Sequence, residues 1–435
     1  MGRVILARTL RRIEHEQPDQ VVAGFAWRGQ TFRRNRRTRK TIDTRFGAVT
    51  LWRWFYQNNQ AGEPGVAPLD VRLGLVAGRM TPAVAEVTGR LAADLPQMAV
   101  LEVLEERFSI RPGVGTLRRV IAGLAKDVRT VHDEAAIEKL CELIEAARKN
   151  NGKHDVLLQV GRDGVFVQTR PCWEEASCGT LAVYDRSGKR LGTVYLGQMP
   201  ESEQPTMTAR LTAVITGVLS RIGGDAPTLR YVTDAGCHPR AYYQDVLSKM
   251  KHPITGRPLN WSWGVDYFHA CEYVSKLAGS LLGNCEAASD WAAKQRTILK
   301  TKTGGVSRVI QSAAQQKRRR GLKGAKKDYT SALNYLKKYR RHMDFAARIA
   351  AGQPIGSGVT EAGCKVIFNQ RLKQSGMRWR RETGQHIVDL RTANRSGLWN
   401  RIWKQIIAST NDLPPITHQS PTIHQPMTHE TTLPR

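Results

Sequence analysis

The chain has 435 residues, with 67 Lys and Arg against 38 Asp and Glu, which gives a formal net charge of +29 at pH 7. With 41% hydrophobic residues, it can bury a sizeable core and form more than one domain. A charge this large predicts an anionic partner, and DNA is favoured because Lys and Arg that neutralise phosphates release counterions. No apolar run approaches the ~20 residues of a membrane-spanning helix. The N-terminus also lacks a secretory signal, so we expect a cytoplasmic protein with no membrane partner.

Residues 1–79 form a basic N-terminal region. The run Arg33–Lys40 (RRNRRTRK) is typical of a solvated face or of a disordered arm along a phosphate backbone. Residues 46–54 alternate between apolar and polar types and predict a β-strand. Seven cysteines without a C-x-x-C pair indicate reduced thiols rather than a disulfide framework.

Residues 80–150 have a helical period. One helix carries Met98 and Phe108, a turn follows at 109–115 (SIRPGVG), and Thr116 is expected to cap a second helix. Arg118 and Arg119 lie off the apolar face of this second helix and are candidate DNA contacts. The pattern fits a DNA-binding helix-turn-helix, although any helical hairpin gives a similar one. A third helix at about 134–149 leads to the linker Asn-Asn-Gly and a predicted domain boundary at 150.

Residues 151–283 alternate between predicted strands and helices in the order three strands, helix, strand, helix, strand, helix. Such an order predicts a mixed α/β sheet built from hairpin-linked strands followed by alternating units. Residues 284–350 are helical and very basic and look inserted into this domain. The core resumes at 351–411, and the Pro-, Thr- and His-rich segment 412–435 is expected to be disordered.

The segment Gln353–Arg381 contains one acidic residue in a basic helix. Ser357 is a candidate N-cap, Glu361 falls in the first helical turn, and Gly376 is expected to end the helix. A glutamate in a first turn is often only a favourable partner of the helix dipole. The alternative is a metal-binding carboxylate beside a phosphate backbone.

Four further residues have similar alternatives. Asp163-Gly164 is also a good hairpin-turn pair. Asp234 and Asp266 each follow a predicted buried strand and could cap the next element, and His269 could be a core histidine. Because ligand sites lie outside the carboxyl ends of sheet strands, Asp163, Asp234 and Glu361 can converge at one edge. Clustered carboxylates require cations, and oxygen ligands select Mg²⁺ or Mn²⁺, with two ions expected for phosphodiester chemistry.

Five motifs carry a family resemblance. They are RFGAVTLWRW…PLD (45–70), GRDGVF (161–166), VTDAGCHPRAYY (232–243), VDYFHACEYV (265–274) and IGSGVTEAGCK…QRLKQSGMRW (355–379). Together they resemble the ISKra group of bacterial insertion-sequence transposases, which is related to the Mutator-like DDE transposases. The resemblance covers about 40–405.

The resemblance implies an RNase H-like catalytic domain with an α-helical insertion before the glutamate. It also implies a DDE triad, which falls on Asp163, Asp234 and Glu361 as catalytic and metal-binding residues. Asp266-x-x-His269 matches a supporting motif of the family. Relatives often carry a cysteine pair before the PLD motif; here residues 56–62 contain no cysteine, so we expect no zinc.

These features predict a DNA transposase that cleaves at the ends of its element and transfers the 3′-OH strands into target DNA. Because element ends come in pairs, we expect a homodimer or larger assembly. We also expect the protein to associate with the DNA of the bacterial nucleoid. Phosphate contacts are predicted at Lys365, Arg371, Arg378 and Arg381, and Trp379 is predicted to stack on a base. The alternatives are a metal-dependent nuclease without strand transfer and a non-enzymatic DNA-binding regulator.

Overall fold

Two β-sheets organise the part of the chain that the computed structural model describes, which is residues 2–13, 21–322 and 327–409. The backbone divides into two units, one formed by the residues up to Leu124 and from Gln405 onward, the other by Ala125–Lys404. The boundary predicted at 150 therefore falls inside the second unit. The predicted disorder of 412–435 concerns a segment outside the described residues.

The first unit contains a three-stranded antiparallel sheet. Helix α1 (Gly2–Ile13) precedes strands β1 (Gly24–Trp27), β2 (Gln30–Thr44) and β3 (Gly47–Asn58), which pair in the order β1-β2-β3. The strand predicted at 46–54 is confirmed as part of β3. The disordered-arm alternative for Arg33–Lys40 is wrong, because this run lies in β2 and pairs with the apolar strand β3. Most of its side chains remain exposed or half-buried, as the solvated-face alternative requires.

Helices follow this sheet, and the last of them is longer than predicted. They are α2 (Pro68–Arg72), α3 (Pro82–Asp94), α4 (Gln97–Phe108) and α5 (Val114–Lys149). Helix α5 runs for 36 residues, so the predicted break before 134 is wrong and Thr116 lies inside the helix rather than at its cap. No Gly or Pro occurs between 124 and 150, so nothing in the sequence stops the helix. Helix, turn and helix are present, and Arg118 and Arg119 are exposed on α5.

The second unit is built on a five-stranded mixed sheet with the order β6-β5-β4-β7-β8. Its strands and the helices between them are β4 (Leu157–Gln168), β5 (Trp173–Tyr184), β6 (Arg190–Gln198), α6 (Pro205–Arg221), β7 (Thr228–Thr233), α7 (Cys237–Asp245), β8 (Trp261–Val265) and α8 (Tyr267–Leu282). Strands β4, β5 and β6 are antiparallel neighbours, whereas β7 and β8 add in parallel on the other side of β4. The predicted order of elements and the mixed α/β sheet are confirmed.

The hairpin-turn alternative for Asp163-Gly164 is wrong. Strand β4 continues through both residues, because β5 pairs with it along its whole length from Leu157 opposite Tyr184 to Gln168 opposite Trp173. The chain turns only at 169–172, where Thr169 N donates to Cys172 O at 2.9 Å. Asp163 therefore lies within a strand, where the sheet fixes its backbone.

Helices cover both faces of this sheet, and glycines allow their close approach. On one face, a Cβ at Gly179 would lie 3.0 Å from Met207 Sδ of α6. On the other face, a Cβ at Gly197 would collide with Val388 of a later helix, α15 (Arg381–Arg395). With both faces covered, the middle of the sheet is buried, and its apolar side chains are joined by a few buried polar ones such as Arg162 and Arg230.

The segment predicted as a basic helical insertion is helical in its described residues. It comprises α9 (Glu286–Thr301), α10 (Gly305–Arg319), α11 (Lys327–Lys338) and α12 (Phe345–Ala350). It is followed by α13 (Gly358–Gly363), a π-helical turn (Cys364–Asn369), α14 (Gln370–Leu372), α15 and α16 (Trp399–Ser409). The glutamate helix ends at Leu372 rather than at the predicted Gly376, which lies in the following turn with φ +73°.

Candidate active site

Asp163 lies in β4, and Asp234 directly follows the neighbouring parallel strand β7. The last paired residues of β4 and β7 are Gly161 and Val232, and each aspartate follows its strand's residue by two positions. Because side chains alternate along a strand, both carboxylates point to the same face at the carboxyl end of the pair. Gly164 N donates to Asp163 Oδ1 at 2.8 Å and Gly236 N donates to Asp234 Oδ1 at 2.9 Å. Backbone N–H groups therefore orient both carboxylates.

Glu361 reaches this edge because α13 packs very closely on β4 and β5. A Cβ at Gly161 would collide with Thr360 Oγ1, so only glycine leaves room for the helix there. Thr360 and the buried Thr180 join their hydroxyls at 2.8 Å across this contact. Two adjacent features, a strand glycine and a helix threonine, thus position the glutamate that follows.

Ser357 occupies the predicted N-cap position of α13, but its side chain makes no capping hydrogen bond. Its backbone carbonyl accepts from Glu361 N at 3.0 Å, and its hydroxyl donates to Glu361 Oε1 at 3.0 Å. The serine hydroxyl therefore orients the glutamate side chain instead of satisfying a helix N–H.

Asp266 has a structural role and does not line the cavity. It is fully buried at the start of α8, where Oδ1 accepts from His269 N at 2.6 Å and Oδ2 accepts from Ser357 N. The carboxylate thereby joins the start of α8 to the loop before Glu361. The His269 side chain does line the cavity, and its Nδ1 lies 3.3 Å from Glu272 Oε2.

The three predicted catalytic acids share one cavity of about 250 Å³. Its walls are formed by Arg162, Asp163, Thr233, Asp234, Phe268, His269, Glu272, Ser357 and Glu361. Burial raises the pKa of Asp163 to about 6, and the negative charges of Asp234 and Glu361 contribute to this rise. The cavity therefore gathers carboxylates whose charges repel one another.

The Cys364 side chain contacts Asp163, and no sequence pattern indicated this contact. Its thiol lies 3.7 Å from Asp163 Oδ2, and its pKa is raised by the neighbouring Cys178 and by burial. The thiol therefore stays protonated and donates to the carboxylate. Adjacent cysteines on β5 and on the glutamate helix became recognisable as neighbours only once the helix was placed on the sheet.

The predicted metal site is only partly assembled. Within the described ranges, no group of three or more His, Cys, Asp or Glu side chains is arranged so that it could hold a metal ion. Backbone N–H groups hold Asp163 and Asp234, whereas Glu361 is exposed and its Oε1 accepts from the Ser357 hydroxyl. The carboxylate chemistry fits a hard divalent cation.

The residues predicted to contact DNA fall into two groups. Lys365 and Arg378 are exposed. Arg371 is only 2% exposed and lies over the Trp379 ring at 5.4 Å, so the prediction that it contacts phosphate is wrong. Trp379 is half-buried, and its Nε1 donates to Leu372 O at 3.0 Å. Arg381 is exposed but paired with Glu174, where Nε lies 3.2 Å from Oε2.

A scan against protein-family models and a search of curated proteins both found no match to this chain. Among the described helices, none has the length and apolar character needed to cross a bilayer.

Proposed function

We propose that the protein is a DDE-type DNA transposase of the ISKra kind, acting at the carboxylate cavity. One observation carries the proposal: Asp163, Asp234 and Glu361, far apart in sequence, line a single cavity at the carboxyl end of two neighbouring parallel strands. Ligand sites of α/β sheets occur at this position. Residues that served only as separate caps would have no reason to converge.

The fold supports the same proposal. Three antiparallel strands extended by two parallel strands on the far side of the first is the order expected of an RNase H-like sheet. The basic helices α9–α12 stand between the last strand and the glutamate helix, where the resemblance requires an insertion. We therefore include an RNase H-like catalytic core in the proposal.

The carboxylates are suited to Mg²⁺ or Mn²⁺. Asp163 and Asp234 would hold the metal from the sheet, and Glu361 would complete the site. Bound divalent ions would supply Lewis-acid activation of the attacking oxygen and charge neutralisation at the leaving oxygen. Burial and, after it, the negative charge of Asp234 raise the pKa of Asp163, and such cations would relieve the repulsion between the carboxylates.

Neighbouring groups of the chain hold the three carboxylates in position. Backbone N–H groups hold Asp163 and Asp234, and the Ser357 hydroxyl holds Glu361. The net charge of +29 provides the attraction for DNA. Because element ends come in pairs, we propose that two or more copies act together. We also propose that the protein associates with the nucleoid.

The test is Mn²⁺-dependent cleavage of a labelled duplex that carries the element's own ends. We expect Glu361→Gln to retain binding and to lose cleavage by at least about a hundredfold, because one charged ligand is removed. Glu382→Gln is the matched control: Glu382 is also an exposed glutamate in the first turn of a helix but does not line the cavity. It should cleave like the wild type.

Equal cleavage by wild type and Glu361→Gln would remove Glu361 from the catalytic residues. Binding without cleavage by the wild type would favour the non-enzymatic regulator. Pre-cut ends then separate the two enzymatic possibilities: a transposase joins them to target DNA, whereas a nuclease continues to nick without joining.

A further inference from the structure

Two large aromatic side chains are exposed on one face of the β4–β5 hairpin, beyond the carboxylates. Phe166 is 58% exposed and Trp173 is 55% exposed. Phe166 pairs with Glu175 and Gln168 pairs with Trp173, so the two rings are diagonal neighbours on the same face. Exposed rings side by side, unlike a single exposed leucine, indicate a binding surface.

Exposed basic residues lie in the same two segments as these rings, and we call the whole the hairpin surface (Phe166, Arg170, Trp173, Lys373 and Arg378). Lys373 Nζ lies 6.0 Å from the centre of the Trp173 ring. Arg170 and Arg378 are exposed, and Arg170 N donates to Trp379 O at 2.9 Å, which ties the two segments together. Aromatic rings among cations are the combination that binds unpaired nucleic acid, since bases stack on the rings while the cations meet the phosphates.

The hairpin surface lies within reach of a DNA strand held in the cavity. Phe166 follows Asp163 by three residues on β4, about 10 Å along the strand, and the alternation of side chains places its ring on the face of Arg162. Arg162 and Asp163 point to opposite faces of the sheet, yet both line the cavity, so the cavity is open around this edge. Strand β4 pairs with β7 as far as Gly161, and the segment at Trp379 joins β4 again at 168–170, where Trp379 N donates to Gln168 O at 3.0 Å.

We propose that Phe166 and Trp173 form a stacking site for an unpaired DNA base two or three nucleotides from the scissile phosphate. The distance of about 10 Å along β4 corresponds to about three nucleotides at the duplex spacing of about 3.4 Å, and to fewer where the unpaired strand is extended. The inference rests on the proposed function. It replaces the stacking role predicted for Trp379, whose ring is covered by Arg371.

The experiment places 2-aminopurine at each of the six positions nearest the scissile phosphate in an element end with an unpaired flank, with chelator present to prevent cleavage. We expect fluorescence quenching at the second or third position with the wild type. Trp173→Leu and Phe166→Leu should remove the quenching and weaken binding about 5- to 100-fold, whereas Trp173→Phe, which keeps a ring, should retain both. Because both side chains are exposed, thermal unfolding midpoints should not change.

Absence of quenching at these positions, or quenching that survives both leucine substitutions, would overturn the stacking site. If the wild type still cleaves element ends with Mn²⁺ in that case, the proposed function stands and only the stacking site fails. If the wild type binds no element-end DNA, both proposals fail together.

Discussion

Replacing Asp163 with Asn should make the folded protein more stable while it removes activity. The wild-type carboxylate is held among two other carboxylates, and its pKa is raised to about 6 from an ordinary value of 3.8. A shift of two pKa units corresponds to about 3 kcal/mol, at about 1.4 kcal/mol per unit. Asp163 is half-buried, so solvent reduces this figure and we expect a gain of about 1–3 kcal/mol at pH 7.5.

The gain should depend on pH with a defined sign. Below pH 3.8, Asp163 is protonated in both the folded and the unfolded state, and the substitution changes little. Between pH 4 and 6 the unfolded state releases its proton first, which lowers the free energy of unfolding of the wild type but not of the Asn variant. The difference between the two proteins should therefore grow through this range and stay constant above pH 6.

Urea unfolding in the presence of chelator, followed at pH 4 and pH 7.5, measures this difference. Asp290→Asn is the control, because Asp290 is exposed on α9 and its substitution should change the free energy of unfolding by less than about 0.5 kcal/mol. A variant that is less stable than the wild type at pH 7.5, or equally stabilised at both pH values, would refute the reasoning. Added Mn²⁺ should stabilise the wild type and leave Asp163→Asn nearly unchanged.

Further substitutions test the contact between β4 and the glutamate helix and the roles of two arginines. Gly161→Ala should destabilise the protein by about 1–3 kcal/mol in thermal unfolding and abolish cleavage, because the new methyl group displaces Thr360. Adding Thr360→Ala should restore part of the stability, and no restoration would show that the contact is not the cause. Arg371→Ala should lower the unfolding midpoint through lost packing and leave the salt dependence of DNA binding unchanged. Arg378→Ala should reduce the salt slope by about one with no loss of stability, and the opposite pattern would exchange the roles of these two arginines.

Local patterns in the sequence located most of the second unit. Periodicity placed α6 and the strands β7 and β8 within one or two residues, because a buried strand or an amphipathic helix has a regular apolar repeat. The same patterns gave the order of elements and hence the mixed sheet. They failed at Asp163-Gly164, where a pair favourable for a turn lies inside a long strand because β5 pairs with it throughout. They also failed near 130, where the composition shifts without any residue that stops a helix.

The sequence by itself determined that this protein is highly basic, that its core is an α/β sheet, and which acidic residues follow or interrupt the central strands. Only the tertiary structure decided which of those acids meet. Asp234 and Asp266 have equivalent positions in sequence, yet one opens into the cavity and the other is buried in hydrogen bonds to the next helix. Arg371 and Arg378 look alike in sequence, but packing against Trp379 buries the first and leaves the second exposed. Such distinctions depend on neighbours distant in the chain, and no local pattern records them.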